Sequence, residues 1–61
     1  MAGKFELYKD AKGKFRFRLK AGNGEIIAIG EAYDSKASAL NGIDSVRRNA
    51  NEAKLVDQTE G

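Results

Sequence analysis

KFRFRLK (Lys14–Lys20) alternates cation and apolar residue along its whole length, the period of a strand with one dry face and one wet one. KFELYK (Lys4–Lys9) alternates in the same way, and DAKG lies between the two. Asp10 at the first position of that tetrapeptide and Gly13 at the fourth predict a type I turn closing a short hairpin. Any register that keeps the apolar faces together sets Phe5 and Leu7 beside Phe15, Phe17 and Leu19. It leaves Glu6 and Tyr8 beside Arg16 and Arg18.

A second turn, AGNG (Ala21–Gly24), leads into EIIAIG, where two loop geometries are open. A two-residue loop at Asn23 and Gly24 would place Ile26 and Ala28 on the phenylalanine face. A three-residue loop with Gly24 left-handed would place Ile27 and Ile29 there, and is preferred because it buries the larger pair against Phe17 and Leu19. Ile26 then falls on the charged face.

From Asp34 the period changes. Ala39, Leu40, Ile43, Val46 and Ala50 recur at helical spacing in DSKASALNGIDSVRRNA. Asp34 or Ser35 caps the start, Arg47 and Arg48 suit the negative end of the helix dipole, and Asn49 is the expected stop. The tail EAKLVDQ predicts a short strand centred on Leu55 and Val56, ahead of a polar end that frays. Gly42 interrupts the helix at a cost of about 1 kcal/mol relative to alanine. Since Ala39, Gly42 and Val46 share a stripe, a close approach by the sheet or by a second helix is expected there.

At 61 residues the chain forms one domain at most, spanning 1–61 with an ordered core of about 4–57. A domain of this size buries only roughly 60% of its unfolded surface and needs a staple. With no cysteine or histidine, neither a disulfide nor a zinc site supplies it, and oligomerisation is the expected remedy. IIAI (Ile26–Ile29) is the longest apolar run, too short to span a bilayer, and the first ten residues lack the apolar stretch of a signal peptide. The expected location is the cytoplasm, with no membrane partner.

Net charge is +2 but unevenly placed. Residues 1–20 hold seven Lys and Arg against two acids, +5, while residues 21–61 hold four against seven, −3. Such polarity draws an anionic partner to the first hairpin, or one copy's basic part onto another's acidic part.

The order strand, strand, strand, helix, strand, together with YDSKASALNGIDSVRRNA (Tyr33–Ala50), resembles the YegP-like family of small bacterial proteins, a domain of unknown function. The likeness runs from FELYKDAKGKFRFRLKAGNGEIIA through the helix, with SKASALNGIDSV its most specific part; NEAKLVDQTEG fits loosely. The resemblance implies an α+β fold. Its β-β-β-α-β unit, an antiparallel sheet with one helix, occurs in pairs that share one continuous sheet with C-terminal strands exchanged. For a chain with one such unit it implies a homodimer in which Gly42, Val46, Leu55 and Val56 serve packing and assembly. It supplies no catalytic residue and no cofactor.

Enzyme chemistry has little to draw on. There is no histidine for general base work near neutral pH and no cysteine nucleophile. Ser35, Ser38 and Ser45 all fall in the predicted helix, and Asp34 with Asp44 has no spacing that recommends an acid and base pair. GNGEIIAIG leads into a strand, whereas a phosphate-cradling loop leads into a helix. No acidic cluster has calcium-loop spacing, so no metal is expected.

The stripe of Lys14, Arg16, Arg18 and Lys20, repeating at about 6.6 Å, remains. Tyr8 beside it offers a stacking ring and Ile26 an apolar margin, a combination used by sheets that bind single-stranded nucleic acid. Solvated charge is nevertheless what an amphipathic strand normally shows, and Glu6 neutralises whichever arginine it faces. The expected function is that of a non-catalytic binding or structural module acting as a homodimer, with an unidentified protein as a further partner. Weak nucleic-acid or anion binding through Tyr8, Arg16, Arg18 and Lys20 is the alternative.

Overall fold

Asp10 organises the first hairpin. Its Oδ1 accepts from the backbone N–H groups of Lys12 and Lys14, both at 2.9 Å, while its carbonyl accepts from Gly13 N–H at 3.0 Å. Gly13 sits at φ 81°, a left-handed conformation that a side chain would strain. The turn at Ala21–Gly24 repeats the device. Gly24 N–H donates to the Ala21 carbonyl at 2.9 Å, Gly24 has φ 91°, and Ala21 N–H closes the loop on the Glu25 carbonyl at 2.8 Å. The three-residue loop expected from the sequence is therefore the one formed.

A computed structural model describes residues 2–59. The expected domain span of 1–61 extends to residues 1, 60 and 61, which lie outside the described part. Strands β1 (Lys4–Lys9), β2 (Phe15–Lys20) and β3 (Ile26–Ile29) form an antiparallel sheet in the order β1-β2-β3, followed by helix α1 (Lys36–Ala50). In the first hairpin Phe5 lies opposite Leu19, Leu7 opposite Phe17, Glu6 opposite Arg18 and Tyr8 opposite Arg16. It is one of the registers that keep the apolar faces together, as the alternating pattern requires.

β3 departs from expectation. Ile26 pairs with Lys20 but Ala28 pairs with Leu19 and Ile29 with Arg18, so Ile27 is an extra residue in a bulge. The slip sends Ile29 to the charged face and brings Ala28, then Gly30, to the phenylalanine face. Expectation had Ile27 and Ile29 on the phenylalanine face. The reason for the slip is Phe17: Gly30 N–H donates to its carbonyl at 2.9 Å, and a Cβ on Gly30 would collide with its ring. Ile26, Ile27 and Ile29 all remain exposed.

Past Gly30 the chain stays beside β2, where Phe15 and Tyr33 exchange paired backbone hydrogen bonds of 2.8 Å. Ser35 then caps α1, its Oγ accepting from Ser38 N–H at 3.1 Å. Asp34, the other candidate cap, pairs with Lys14 instead. The helix runs one residue beyond the expected stop, because the Asn49 amide bonds back to Ser45 and Asn51 forms the cap.

The core is small. Among the described residues only Phe17, Ala39 and Ile43 are buried. The Phe17 ring meets Phe5 edge-on and stacks on Tyr33, each with centroids 6.1 Å apart, while Val46 is half-buried. Gly42 has a close approach within the chain, from the Tyr33 ring end and Phe17 of the sheet. Gly42→Leu is expected to lower stability by about 1–3 kcal/mol by overpacking this contact. A chemical denaturation midpoint equal to that of the wild type would show that Tyr33 gives way freely.

The expected fourth strand is not formed within the described chain. Residues 53–59 enter no ladder, and Leu55 is 93% exposed and Val56 68% exposed. A strand gains its hydrogen bonds from a neighbour, and this segment has none beside it.

Candidate functional site

The alternation of β1 and β2 gathers charge on the sheet face opposite α1. Glu6 sits at its centre: Oε1 accepts from Arg18 Nε at 2.7 Å and lies 3.3 Å from Lys20 Nζ, while Oε2 is 3.8 Å from Lys4 Nζ. Arg16 Nε lies 3.1 Å from Asp10 Oδ2, off the axis of its N–H, and is buried without a hydrogen bond of its own. Lys14 pairs with Asp34. The Arg18 guanidinium also stacks over Tyr8, 4.9 Å from the ring centroid.

Sequence reasoning thus brought together Tyr8, Arg16, Arg18 and Lys20 correctly as neighbours. It foresaw Glu6 as a counter-charge but not Asp10 or Asp34. Asp10 was read only as a turn residue, although a carboxylate closing a hairpin stands next to the strand pair that the turn connects. Five cations, counting Lys4, meet three carboxylates, which leaves +2 on this face.

The ion pairs shift the titration of their members. Glu6 is held below the usual carboxylate range by its hydrogen bond from Arg18 and then by Lys20. Asp10 is lowered mainly by the backbone N–H groups of Lys14 and Lys12, with Arg16 adding to them. Asp34 is lowered and Lys14 raised by their mutual hydrogen bond. A carboxylate depressed in the folded state contributes stability that is present above its unfolded value, about 4, and lost as pH falls through the folded value. The melting temperature is therefore expected to be flat from neutral pH to about 5 and to drop below about 4. Glu6→Gln should make the drop shallower, as thermal melts across pH 2–7 will read; equal acid sensitivity in that variant would remove Glu6 from the account.

A second feature lies on the other face, where β1 ends beside the start of α1. A cleft of about 240 Å³ is lined by Leu7, Tyr8, Lys9, Phe15 and Lys36, with Lys9 Nζ 5.2 Å from the Phe15 centroid. Sequence reasoning missed it, although Lys9 was the signal: a lysine in register with Phe5 and Leu7 puts a charge on the apolar face. Among the described residues no group of three or more acidic, histidine or cysteine side chains is placed to hold a metal. Among the described residues no helix is long and apolar enough to cross a membrane.

These elements define a small α+β domain, a three-stranded antiparallel sheet covered by one helix, with a C-terminal arm that packs on neither. A family described as a domain of unknown function (DUF1508) matches residues 10–57, and the chain belongs to that family. A UPF0339 protein of Treponema denticola is 70% identical over 57 residues, spanning 93% of this chain and 98% of its own. The UPF0339 protein YegP of Escherichia coli O157:H7 is 62% identical over 50 residues, which are 82% of this chain but 46% of YegP. Among solved structures, the solution structure of a protein from Haloferax volcanii superimposes with a TM-score of 0.81 at 46% identity, covering 92% of this chain and 95% of that one. The YegP-like resemblance is thus correct, while its restriction to bacteria is not, since Haloferax is an archaeon.

Proposed function

We propose that the protein is a non-catalytic binding or structural module that works as a homodimer, each copy lending its C-terminal arm to the other's sheet. The observation that carries this reading is the arm itself, with Leu55 almost wholly and Val56 about two-thirds in water on a segment that enters no ladder. The Cα radius of gyration, 13.4 Å, exceeds the roughly 10.5 Å of a compact chain of this length, and the long axis reaches 42 Å. With three buried side chains among the described residues the fold has little stability to spare, and sheet sharing would add to its core. That the chain matches only about half of YegP fits a unit that also works in pairs. The reading places the protein in the cytoplasm, among protein partners. Sedimentation velocity tests it: a species of twice the chain mass is expected, and a folded monomer would overturn the exchange.

Anion or nucleic-acid binding at Tyr8, Arg16, Arg18 and Lys20 is the second reading, favoured by the Arg18 and Tyr8 stack with Ile29 opposite Arg18. Each stripe cation already has a carboxylate beside it, so a phosphate must displace an ion pair to bind. That competition favours the first reading. If the second holds, single-stranded oligonucleotide affinity falls steeply with salt and disappears in Arg16→Gln/Arg18→Gln. Binding unaffected by those changes removes it.

A further inference from the structure

The chain contains four asparagines, and two of them precede a glycine: Asn23 before Gly24 and Asn41 before Gly42. An asparagine in front of glycine is poised to lose its own amide, because no side chain screens the glycine nitrogen from the asparagine carbonyl carbon. The fold puts the two dipeptides in opposite circumstances. Asn23 and Gly24 lie in the exposed turn between β2 and β3, whereas Asn41 and Gly42 lie inside α1.

At the turn, Asn23 Oδ1 accepts from Glu25 N–H at 3.0 Å, which folds the side-chain amide back over the Gly24 peptide. That donor sits on the oxygen that takes up negative charge when a nucleophile adds to Cγ, the arrangement of an oxyanion hole. Gly24 has φ 91° and nothing within 4 Å of the place a Cβ would occupy, so its surroundings are open. Its N–H donates to the Ala21 carbonyl at 2.9 Å, and this bond of an exposed turn opens before the nitrogen reacts. Asn41 has none of these advantages. Helical ψ aims the Gly42 nitrogen along the axis toward the carbonyl one turn earlier, away from the Asn41 side chain, and Gly42 lies against the Tyr33 ring end and Phe17.

We propose that Asn23 is a built-in modification site, which in the folded protein converts through a succinimide to isoaspartate and aspartate while Asn41 is spared. Solvent hydroxide takes the Gly24 amide proton, and the nitrogen forms a bond to Asn23 Cγ. The bond from Cγ to the side-chain nitrogen breaks, and that nitrogen leaves as ammonia after taking a proton from water, which regenerates the hydroxide. Water then opens the ring at either carbonyl. Opening at the side-chain carbonyl leaves aspartate on an ordinary backbone. Opening at the backbone carbonyl routes the chain through the Asn23 side chain and inserts a methylene into the turn.

Either product sets a carboxylate two residues from Glu25 and takes one unit off the net charge of +2. Isoaspartate also lengthens the connection that holds Ala21 N–H on the Glu25 carbonyl at 2.8 Å. β3, four residues long and attached to the sheet through β2 alone, is the element that this loosens.

Peptide mapping by mass spectrometry during incubation at mildly alkaline pH reads the two sites separately, in the folded protein and in the chain unfolded by guanidinium chloride. Unfolded, both asparagines are expected to convert at similar rates. Folded, Asn23 should convert at least as fast as it does unfolded, and Asn41 should slow by roughly 10²-fold or more, since a helix centre reacts only through opening. A slower Asn23 in the folded state would show that the turn bond guards it and would overturn the proposal. Conversion of Asn41 at the rate of Asn23 in the folded protein would overturn it as well. The isoaspartyl form, separated by chromatography, should melt below Asn23→Asp, which carries the same charge on an unaltered backbone; equal melting temperatures would remove the loosening of β3.

Discussion

Phe17→Ala is expected to leave little of the folded chain at ambient temperature. Among the described residues Phe17 is one of three buried side chains, and it joins sheet, loop and helix: Phe5 of β1 meets its edge, Tyr33 stacks on its face, and Gly30 and Gly42 lie against its rim. Removing a buried phenylalanine costs about 3–5 kcal/mol, because the transfer energy is lost and a cavity remains. A domain of 61 residues has roughly 3–9 kcal/mol in total at the usual value per residue. The melting temperature should fall by roughly 15–35 °C at fixed protein concentration. Circular dichroism melts will show this, and a fall of only a few degrees would mean that the core lies elsewhere.

Much of that core was legible because a strand's period of two leaves no freedom once one face is apolar. Phe5, Leu7, Phe17 and Leu19 could meet only on one face of the hairpin, and Ala39 and Ile43 followed from the change to helical spacing. The turn glycines were equally readable, since Gly13 and Gly24 hold positive φ angles that few other residues accept. β3 was not legible, because its face depends on a bulge. EIIAIG has apolar residues at four successive positions, so shifting it by one residue exchanges isoleucine for alanine without exposing any charge. What fixes its register is the space above the Phe17 ring that only Gly30 fits, a contact between residues 13 apart in sequence.

The charged face shows the same division. Alternation was enough to collect Tyr8, Arg16, Arg18 and Lys20, and cross-strand pairing was enough to bring Glu6 to Arg18. The partners of Arg16 and Lys14 come from a turn and from the residue before a helix cap, whose side-chain directions no period specifies. Asp34 illustrates the ambiguity: its type suits an N-cap, yet Ser35 takes that role and frees Asp34 to tie the start of β2 to the start of α1. The cleft beside β1 was hidden for a related reason. It is formed jointly by a strand end and a helix start, and Lys36 reaches it only through the fold.

Replacing both Leu55 and Val56 by serine is expected to dissociate the dimer while leaving the sheet and helix of each copy in place. In the single chain the two side chains are 93% and 68% exposed, so the exchange would take nearly all of their surface out of water. Burying an aliphatic side chain of this size stabilises by about 1.5–3 kcal/mol. Two per arm and two arms per dimer give about 6–12 kcal/mol, which corresponds to a dissociation constant raised by roughly 10⁴-fold or more. Serine keeps the backbone donors and acceptors of the arm, so the loss reports on the side chains. Sedimentation equilibrium over a dilution series measures the shift, with circular dichroism as the check that α1 persists. Because the loosened copies retain only the small core around Phe17, their melting temperature should also fall and cease to depend on concentration. A double variant that associates as tightly as the wild type would show that the arm is not what holds the copies together, and would send the search for the interface to the exposed isoleucines of β3.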